Sequence, residues 1–198
     1  MTEREKMLAG MPYDSMAEDL CESRMRAKLL CRKFNDLMPD EGEERIKTIK
    51  ELFGKTGENV WVEQPFCCDY GEYIEVGDHF YSNHNLTILD CARVKIGNTV
   101  LIGPNVGIYT ASHPIVAEQR IIHGTEFAKE VTIGDHVWIG GGVTICPGVT
   151  IGDNTVIGAG SVVTKDIPSN VVAAGVPCRV IREITLDDLM PLDEQDAF

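Results

Sequence analysis

Between Ile133 and Ile167 an aliphatic residue returns at every sixth position: Ile133, Ile139, Ile145, Ile151, Ile157 and Val163. Glycine often follows it, and four residues after each stands a second small or aliphatic residue: Val137, Val143, Val149, Thr155, Ser161 and Ile167. A period of six fits neither an amphipathic helix nor a half-buried strand, and fixed self-similarity of this kind marks a solenoid. Each hexad is one short strand plus one turn, with both non-polar positions inward and glycine easing the corner. Three such faces close one triangular coil of a parallel β-helix.

A weaker copy of the repeat precedes it, with Ile96, Ile102 and Ile108 at the same spacing and Val76 and Ile88 less regularly placed. Between Ile108 and Ile133 the register slips by one residue. The segment 114–130 is therefore predicted to leave the solenoid as a loop, and His113 is the last residue before that departure. Upstream the pattern is helical. Thr2-x-x-Glu5 and Ser15-x-x-Glu18 have the form of capping boxes, Gly10 and Pro12 separate a short helix from a longer one, and Pro39 ends the longer. On it Leu20, Ala27, Leu30, Phe34 and Leu37 share a stripe, with Arg24, Arg26, Lys28 and Arg32 mostly elsewhere. A third helix is predicted from near Glu41 to Phe53, with Ile46, Ile49 and Leu52 inward. A solenoid needs its open end covered, so residues 1–57 read as a helical cap that also reaches a binding site. Residues 58–184 read as the β-helix, and 185–198 as a solvated acidic tail.

A formal net charge of −13 and a pI near 4.7 disfavour a nucleic-acid role and require a local cationic cluster for any anionic ligand. The seven cysteines are scattered. No apolar run approaches the ~18 residues that span a bilayer, and no charged-then-apolar leader opens the chain, so a cytoplasmic protein with reduced thiols and no membrane partner is expected. Cys67-Cys68 with His79 and His84 is a weak metal candidate, since adjacent cysteines do not form the usual Cys-x-x-Cys pair. The stretch 59–93 combines Trp61, Phe66, Tyr70, Tyr73, Phe80 and Tyr81 with Asp69, Asn83, Asn85 and Asp90. Such a set suits a sugar, whose hydroxyls want fixed donors and acceptors and whose ring faces want aromatic partners.

Six pieces in order, Met7-Leu-Ala-Gly10, Phe66-Cys-Cys-Asp-Tyr-Gly71, Asn85-Leu-Thr-Ile-Leu-Asp90, Ile108-Tyr-Thr-Ala-Ser-His-Pro114, Val137-Trp-Ile-Gly-Gly141 and Val171-Val-Ala-Ala-Gly-Val-Pro177, make the chain resemble the hexapeptide-repeat sugar O-acetyltransferases, the group of maltose and galactoside acetyltransferases. The resemblance implies a mainly β fold, a left-handed parallel β-helix with an α-helical N-terminal cap and an excursion loop. It also implies a homotrimer with active sites between subunits, acetyl-CoA as co-substrate without a required metal, and a sugar as acceptor.

Direct acetyl transfer needs a base, donors for the oxygen that gains charge, and a grip on the cofactor. His113 is the candidate base, with an unperturbed pKa of about 6.5 that suits proton transfer near neutrality; His79, His84, His123 and His136 read as surface or hydrogen-bonding residues. By resemblance Glu126 orients His113, and Asn83 stabilises the oxyanion. For the acceptor it points to Asp69, Asp90, Tyr81, Asp14 and Arg24. Cys91 stands where the galactoside enzyme has a second acid, and Ser15 rather than Asp14 matches that enzyme's N-terminal aspartate. Coenzyme A is expected along the later coils, with Gly141, Ala159 and Thr164 on the pantetheine arm, Trp138 lining the thioester channel, and Lys165, Arg179 and Arg182 on the phosphates. The competing readings are a related acyltransferase with an amine, serine or xenobiotic acceptor, a γ-class carbonic anhydrase-like protein using His79, His84 and His113, and a non-catalytic scaffold.

Overall fold

In the computed structural model, which describes residues 1–121 and 124–190, the hexads wind into a three-faced parallel β-helix. The first face stacks Lys55–Thr56, Ile74–Val76, Val94–Ile96, Val131–Ile133 and Thr150–Ile151. The second stacks Trp61–Val62, Tyr81–Ser82, Leu101–Ile102, Trp138–Ile139, Val156–Ile157 and Val171–Ala174, and the third Phe66–Cys68, Leu86–Leu89, Gly107–Tyr109, Thr144–Ile145 and Val162–Val163. The inward positions of the repeat lie directly above one another. Ile96, Ile133 and Ile151 pair in register, as do Ile102, Ile139 and Ile157, and Ile108, Ile145 and Val163. Every one of them is buried. With about 25 cal/mol for each Å² of apolar surface removed from water, these ladders drive the winding.

Backbone pairing between coils leaves little room at the corners, and apart from the β-branched Thr99 the sequence answers with residues that accept a positive φ. Between the first and second faces the stacked corner positions include Asn59, His79, Asn98's neighbour Thr99, His136, Asn154 and Asn170, all with φ between 51° and 62°. Asparagine tolerates this left-handed conformation because its short polar side chain bonds locally. His79 and His136 are thus turn residues of the coil.

The repeat resumes without error across the excursion, since Val94–Ile96 pairs directly with Val131–Ile133. The one-residue slip is absorbed entirely outside the coil. There Ala111–Ser112 leads out, a short helix (Ala117–Ile121) forms the tip, and Phe127–Ala128 returns antiparallel to Ala111–Ser112.

The cap consists of α1 (Glu3–Leu8), α2 (Glu18–Asp36) and α3 (Gly42–Leu52). The capping box at Thr2 and Glu5 forms as expected. The one expected at Ser15 does not: α2 starts after Ala17 with no side-chain cap, because the Ser15 hydroxyl is committed elsewhere, to Glu126 at 3.1 Å. On α2, Leu20, Ala27, Cys31 and Phe34 are buried, while Leu30 and Leu37 are half-buried. Phe34, Ile49 and Leu52 join Phe53 and Phe66 in the core that continues into the coils. Arg45 was not foreseen inside. It is buried on α3, where its guanidinium donates to the Val62 carbonyl at 3.1 Å and Glu63 at 2.8 Å and lies 4.7 Å from the Trp61 ring centre. At the other side of the cap, Arg4 donates to Glu72 at 2.8 Å and to the Tyr73 hydroxyl at 2.5 Å, fastening α1 to the corner after the third face. Among the described residues no helix is long and apolar enough to cross a membrane.

Candidate active site

The corner that follows the third face carries Asp69–Tyr73 in the first coil, Asp90–Arg93 in the second and the excursion in the third. The cap folds over this corner and encloses a cleft of about 360 Å³ lined by Tyr13, Ser15, Arg24, Lys28, Asp69, Tyr70, Cys91, Ala111, His113 and Glu126. Four residues singled out from the sequence, His113, Glu126, Asp69 and Arg24, therefore share one cleft, although they are far apart in the chain.

His113 Nδ1 lies 3.2 Å from the Thr125 carbonyl oxygen. A carbonyl only accepts, so Nδ1 carries the proton, and in the neutral ring Nε2 is left with its lone pair. The residue itself is exposed. Ala111 pairs with Ala128 and Ser112 with Phe127; one step further along that register His113 stands opposite Glu126. The Glu126 carboxylate is nevertheless held by the cap, accepting from the Tyr13 hydroxyl at 3.0 Å and the Ser15 hydroxyl at 3.1 Å. The group fixing the imidazole tautomer is thus the carbonyl of Thr125.

Asp90 lies beneath the cleft, fully buried. Its Oδ1 accepts the backbone N–H of Asp69 at 3.1 Å and of Tyr70 at 2.9 Å, and its Oδ2 that of Tyr73 at 3.4 Å, so it shapes the turn that presents Asp69. Burial pushes its carboxyl up to about 7, against the three amide bonds. Burial also raises Asp69, which accepts from the Cys91 thiol at 3.4 Å and faces the Arg24 charge. The linkage has a definite sign. A carboxyl whose pKa is raised on folding binds a proton more tightly in the native state, so its contribution to stability is present at low pH and is lost as pH rises through about 7. The difference in unfolding free energy between the wild type and Asp90→Asn is accordingly expected to fall between pH 4 and 7, as urea titrations across that range will read.

Arg24 on α2 donates to the Tyr70 hydroxyl at 2.7 Å and to the Ser15 carbonyl at 2.5 Å. One helical turn on, Lys28 reaches the same cleft, with no ion pair among the described residues. Asp14 does not line it: its side chain accepts from the Met16 N–H at 2.9 Å on the exposed side. Tyr13 and Lys28 were missed as cleft residues, and no spacing or motif singles them out; each is brought there by packing of the cap, whereas Tyr70 belongs to the aromatic and polar set of 59–93 already noted.

The remaining expected site residues sit elsewhere on the chain. Tyr81 lies on the outer surface of the second face, in line with Leu101 and Trp138. Asn83 follows at the corner after that face, where its Oδ1 accepts the His84 N–H at 2.7 Å. Gly141 and Ala159 occupy the same corner in later coils, and Trp138 is 56% exposed. Thr164 and Lys165 follow the third face, on the same edge of the solenoid as the cleft but two coils on, and both are exposed. Arg182 is paired with Asp188 through two bonds of 2.7 and 2.6 Å, and Arg179 donates to the Cys178 carbonyl at 2.7 Å. His123 lies outside the described residues. His79 and His84 stand at two different corners from His113, and among the described residues no three His, Cys, Asp or Glu side chains cluster as a metal site.

Hexapeptide coils interrupted by a loop that fixes an imidazole over a polar cleft describe the hexapeptide-repeat acyltransferases. Residues 6–57 match the maltose acetyltransferase hexapeptide capping motif, and residues 130–165 the bacterial transferase hexapeptide family of six repeats. Galactoside O-acetyltransferase of Escherichia coli is 54% identical over 93% of this chain and 89% of its own length. A crystal structure of a maltose O-acetyltransferase from Clostridium difficile superposes with a TM-score of 0.92 at 53% identity, covering 93% of this chain and 98% of that one. A galactoside acetyltransferase in complex with coenzyme A gives 0.92 and 53%, covering 95% and 94%. The chain belongs to the hexapeptide-repeat sugar O-acetyltransferases, and its β-helix is the left-handed one of that family.

Proposed function

We propose that this enzyme transfers acetyl from acetyl-CoA to a hydroxyl of a sugar by direct attack, with His113 as the base. The observation that carries the reading is the Thr125 carbonyl bond to Nδ1, which leaves Nε2 as the proton acceptor at the cleft. As the sugar oxygen attacks the thioester carbon, its proton passes to Nε2; the C–O bond forms, the C–S bond breaks, and the proton leaves with the thiolate. Asp69 and Arg24 supply an acceptor and a donor for the sugar's other hydroxyls, with Asp90 holding Asp69 in place rather than touching the ligand.

The division of the expected residues between two edges supports a homotrimer in which a neighbouring copy completes each cleft. Asn83, whose Oδ1 is engaged by the His84 N–H, then serves the oxyanion with its NH2 group from across the interface. Trp138 and Leu101, 56% and 48% exposed on one face, are apolar surface that such a neighbour or the thioester arm covers. Gly141, Ala159 and Thr164 line that arm's path, and Lys165, Arg179 and Arg182 are the candidate phosphate contacts; Arg182 gives up Asp188 to make one.

Thiol release from acetyl-CoA, measured across maltose, glucose, isopropyl thiogalactoside and chitin fragments, tests the reading. Turnover with one or more of these sugars is expected. Coenzyme A binding without turnover on any sugar would move the acceptor to an amine, serine or xenobiotic.

A further inference from the structure

The cap does more than cover the end of the solenoid. Its linker between α1 and α2 makes a single antiparallel bridge to the returning limb of the excursion: the Tyr13 N–H donates to the Glu126 carbonyl at 3.1 Å. The two side chains that flank Asp14 then grip the same residue from its other end, Tyr13 on Oε2 and Ser15 on Oε1 of the Glu126 carboxylate. Tyr13 is only 4% exposed, packed with Met7, Tyr70 and Ala128, so it is a fixed post rather than a surface side chain. The residue next to this clamp is Thr125, whose carbonyl holds His113. The Thr125 N–H donates to the Gln119 carbonyl in the loop tip at 3.3 Å, and the Gly124 before it has a φ of +57°. On the other side of Thr125, Glu126 carries three bonds to the cap.

We infer that Tyr13 is a positioning residue for the acetyl transfer. Through Glu126 it fixes the peptide whose carbonyl sets the His113 tautomer, so that the base is aligned by the N-terminal cap. The inference rests on His113 being the base. It gives the carboxylate a different task from bonding the imidazole: both oxygens are engaged by hydroxyls, and the carboxylate acts on the histidine through one residue of backbone. The fold places three segments in series, cap linker, returning limb and departing limb, and the histidine is on the last of them.

Tyr13→Phe removes the hydroxyl and keeps the ring, so the packing around Met7 and Tyr70 is retained. The expected result is a kcat roughly tenfold lower with KM for acetyl-CoA unchanged, since one lost positioning bond of this kind is worth about that factor. Combining Tyr13→Phe with Glu126→Ala is expected to cost no more than Glu126→Ala alone, the non-additivity of two groups that act through one contact. A readout independent of turnover accompanies these: long-range ¹⁵N–¹H spectra of histidine-labelled protein, with His113→Ala to assign the ring. The wild-type His113 is expected as the Nδ1–H tautomer, and Tyr13→Phe as a mixture. An unchanged tautomer and an unchanged kcat in Tyr13→Phe would overturn the inference while leaving the acetyltransferase reading intact. Should the wild type prove inactive on every acceptor, that reading fails, and the tautomer spectra alone decide whether the clamp exists.

Discussion

Replacing His113 with alanine is expected to lower kcat/KM at least a hundredfold while leaving coenzyme A binding within a factor of two. General-base catalysis by a positioned side chain contributes typically ~10²–10⁴ in rate, which is about 3–5 kcal/mol of transition-state stabilisation. The loss should be felt mainly in kcat, because the imidazole's proton acceptance matters only as the acceptor oxygen attacks. Misfolding is not expected to cloud the result. His113 is exposed and outside the hexad core, and among the described residues its side chain bonds only a loop carbonyl, so surface rules apply and stability should shift by no more than about 0.5 kcal/mol. A variant that keeps full turnover would remove His113 from the mechanism.

Gly140→Val should unfold the molecule or destabilise it by more than about 4 kcal/mol, the range of severe core defects. A Cβ at this position would stand 2.6 Å from the Ala159 nitrogen, 2.9 Å from its Cα and 3.0 Å from the Ile157 carbonyl oxygen. All three are backbone atoms of the next coil, and the Ile157 carbonyl already accepts the Gly140 N–H at 2.8 Å beside the pairing of Ile139 with Ile157. Neither coil can yield without breaking the ladder. Gly160 serves as the control: it meets nothing within 4 Å, although its φ of +70° still disfavours a side chain by about 1–2 kcal/mol. Urea titration of both variants should therefore give a large loss at Gly140 and a small one for Gly160→Ala.

The coil was legible because its period is a direct imprint of packing. Ile133, Ile139 and Ile145 face the interior for the same reason, and any coil of this kind must repeat it. The loop was legible as a defect in that period, and it brought His113 to notice by position alone. The cap was read more loosely. Thr2 and Glu5 form their box, yet the same signature at Ser15 misled, since a hydroxyl can satisfy a helix start or a distant carboxylate and sequence spacing does not say which. Likewise Asp90 looked like a ligand for an acceptor, and it turns out to hold three amides of the neighbouring corner. Local motifs speak for local partners; the bonds between the cap and the excursion join residues more than a hundred positions apart, and nothing in either segment announces the other. Lys28 shows the same limit, for its place beside the cleft follows only from the packing of α2 against the first coils.

The excursion is inserted where two coils meet edge to edge, and the pairing of Val94 with Val131 proceeds as that of Ile74 with Val94 does. The chain between partners is almost twice as long at that seam. Loop-closure entropy rises only about 0.6 kcal/mol for each doubling of length, so lengthening, shortening or exchanging the loop's tip taxes the scaffold very little. Evolution can therefore rewrite the segment that carries the chemistry almost independently of the segment that carries the fold, and a designer seeking a new acceptor range has the same freedom between Pro114 and Gly124.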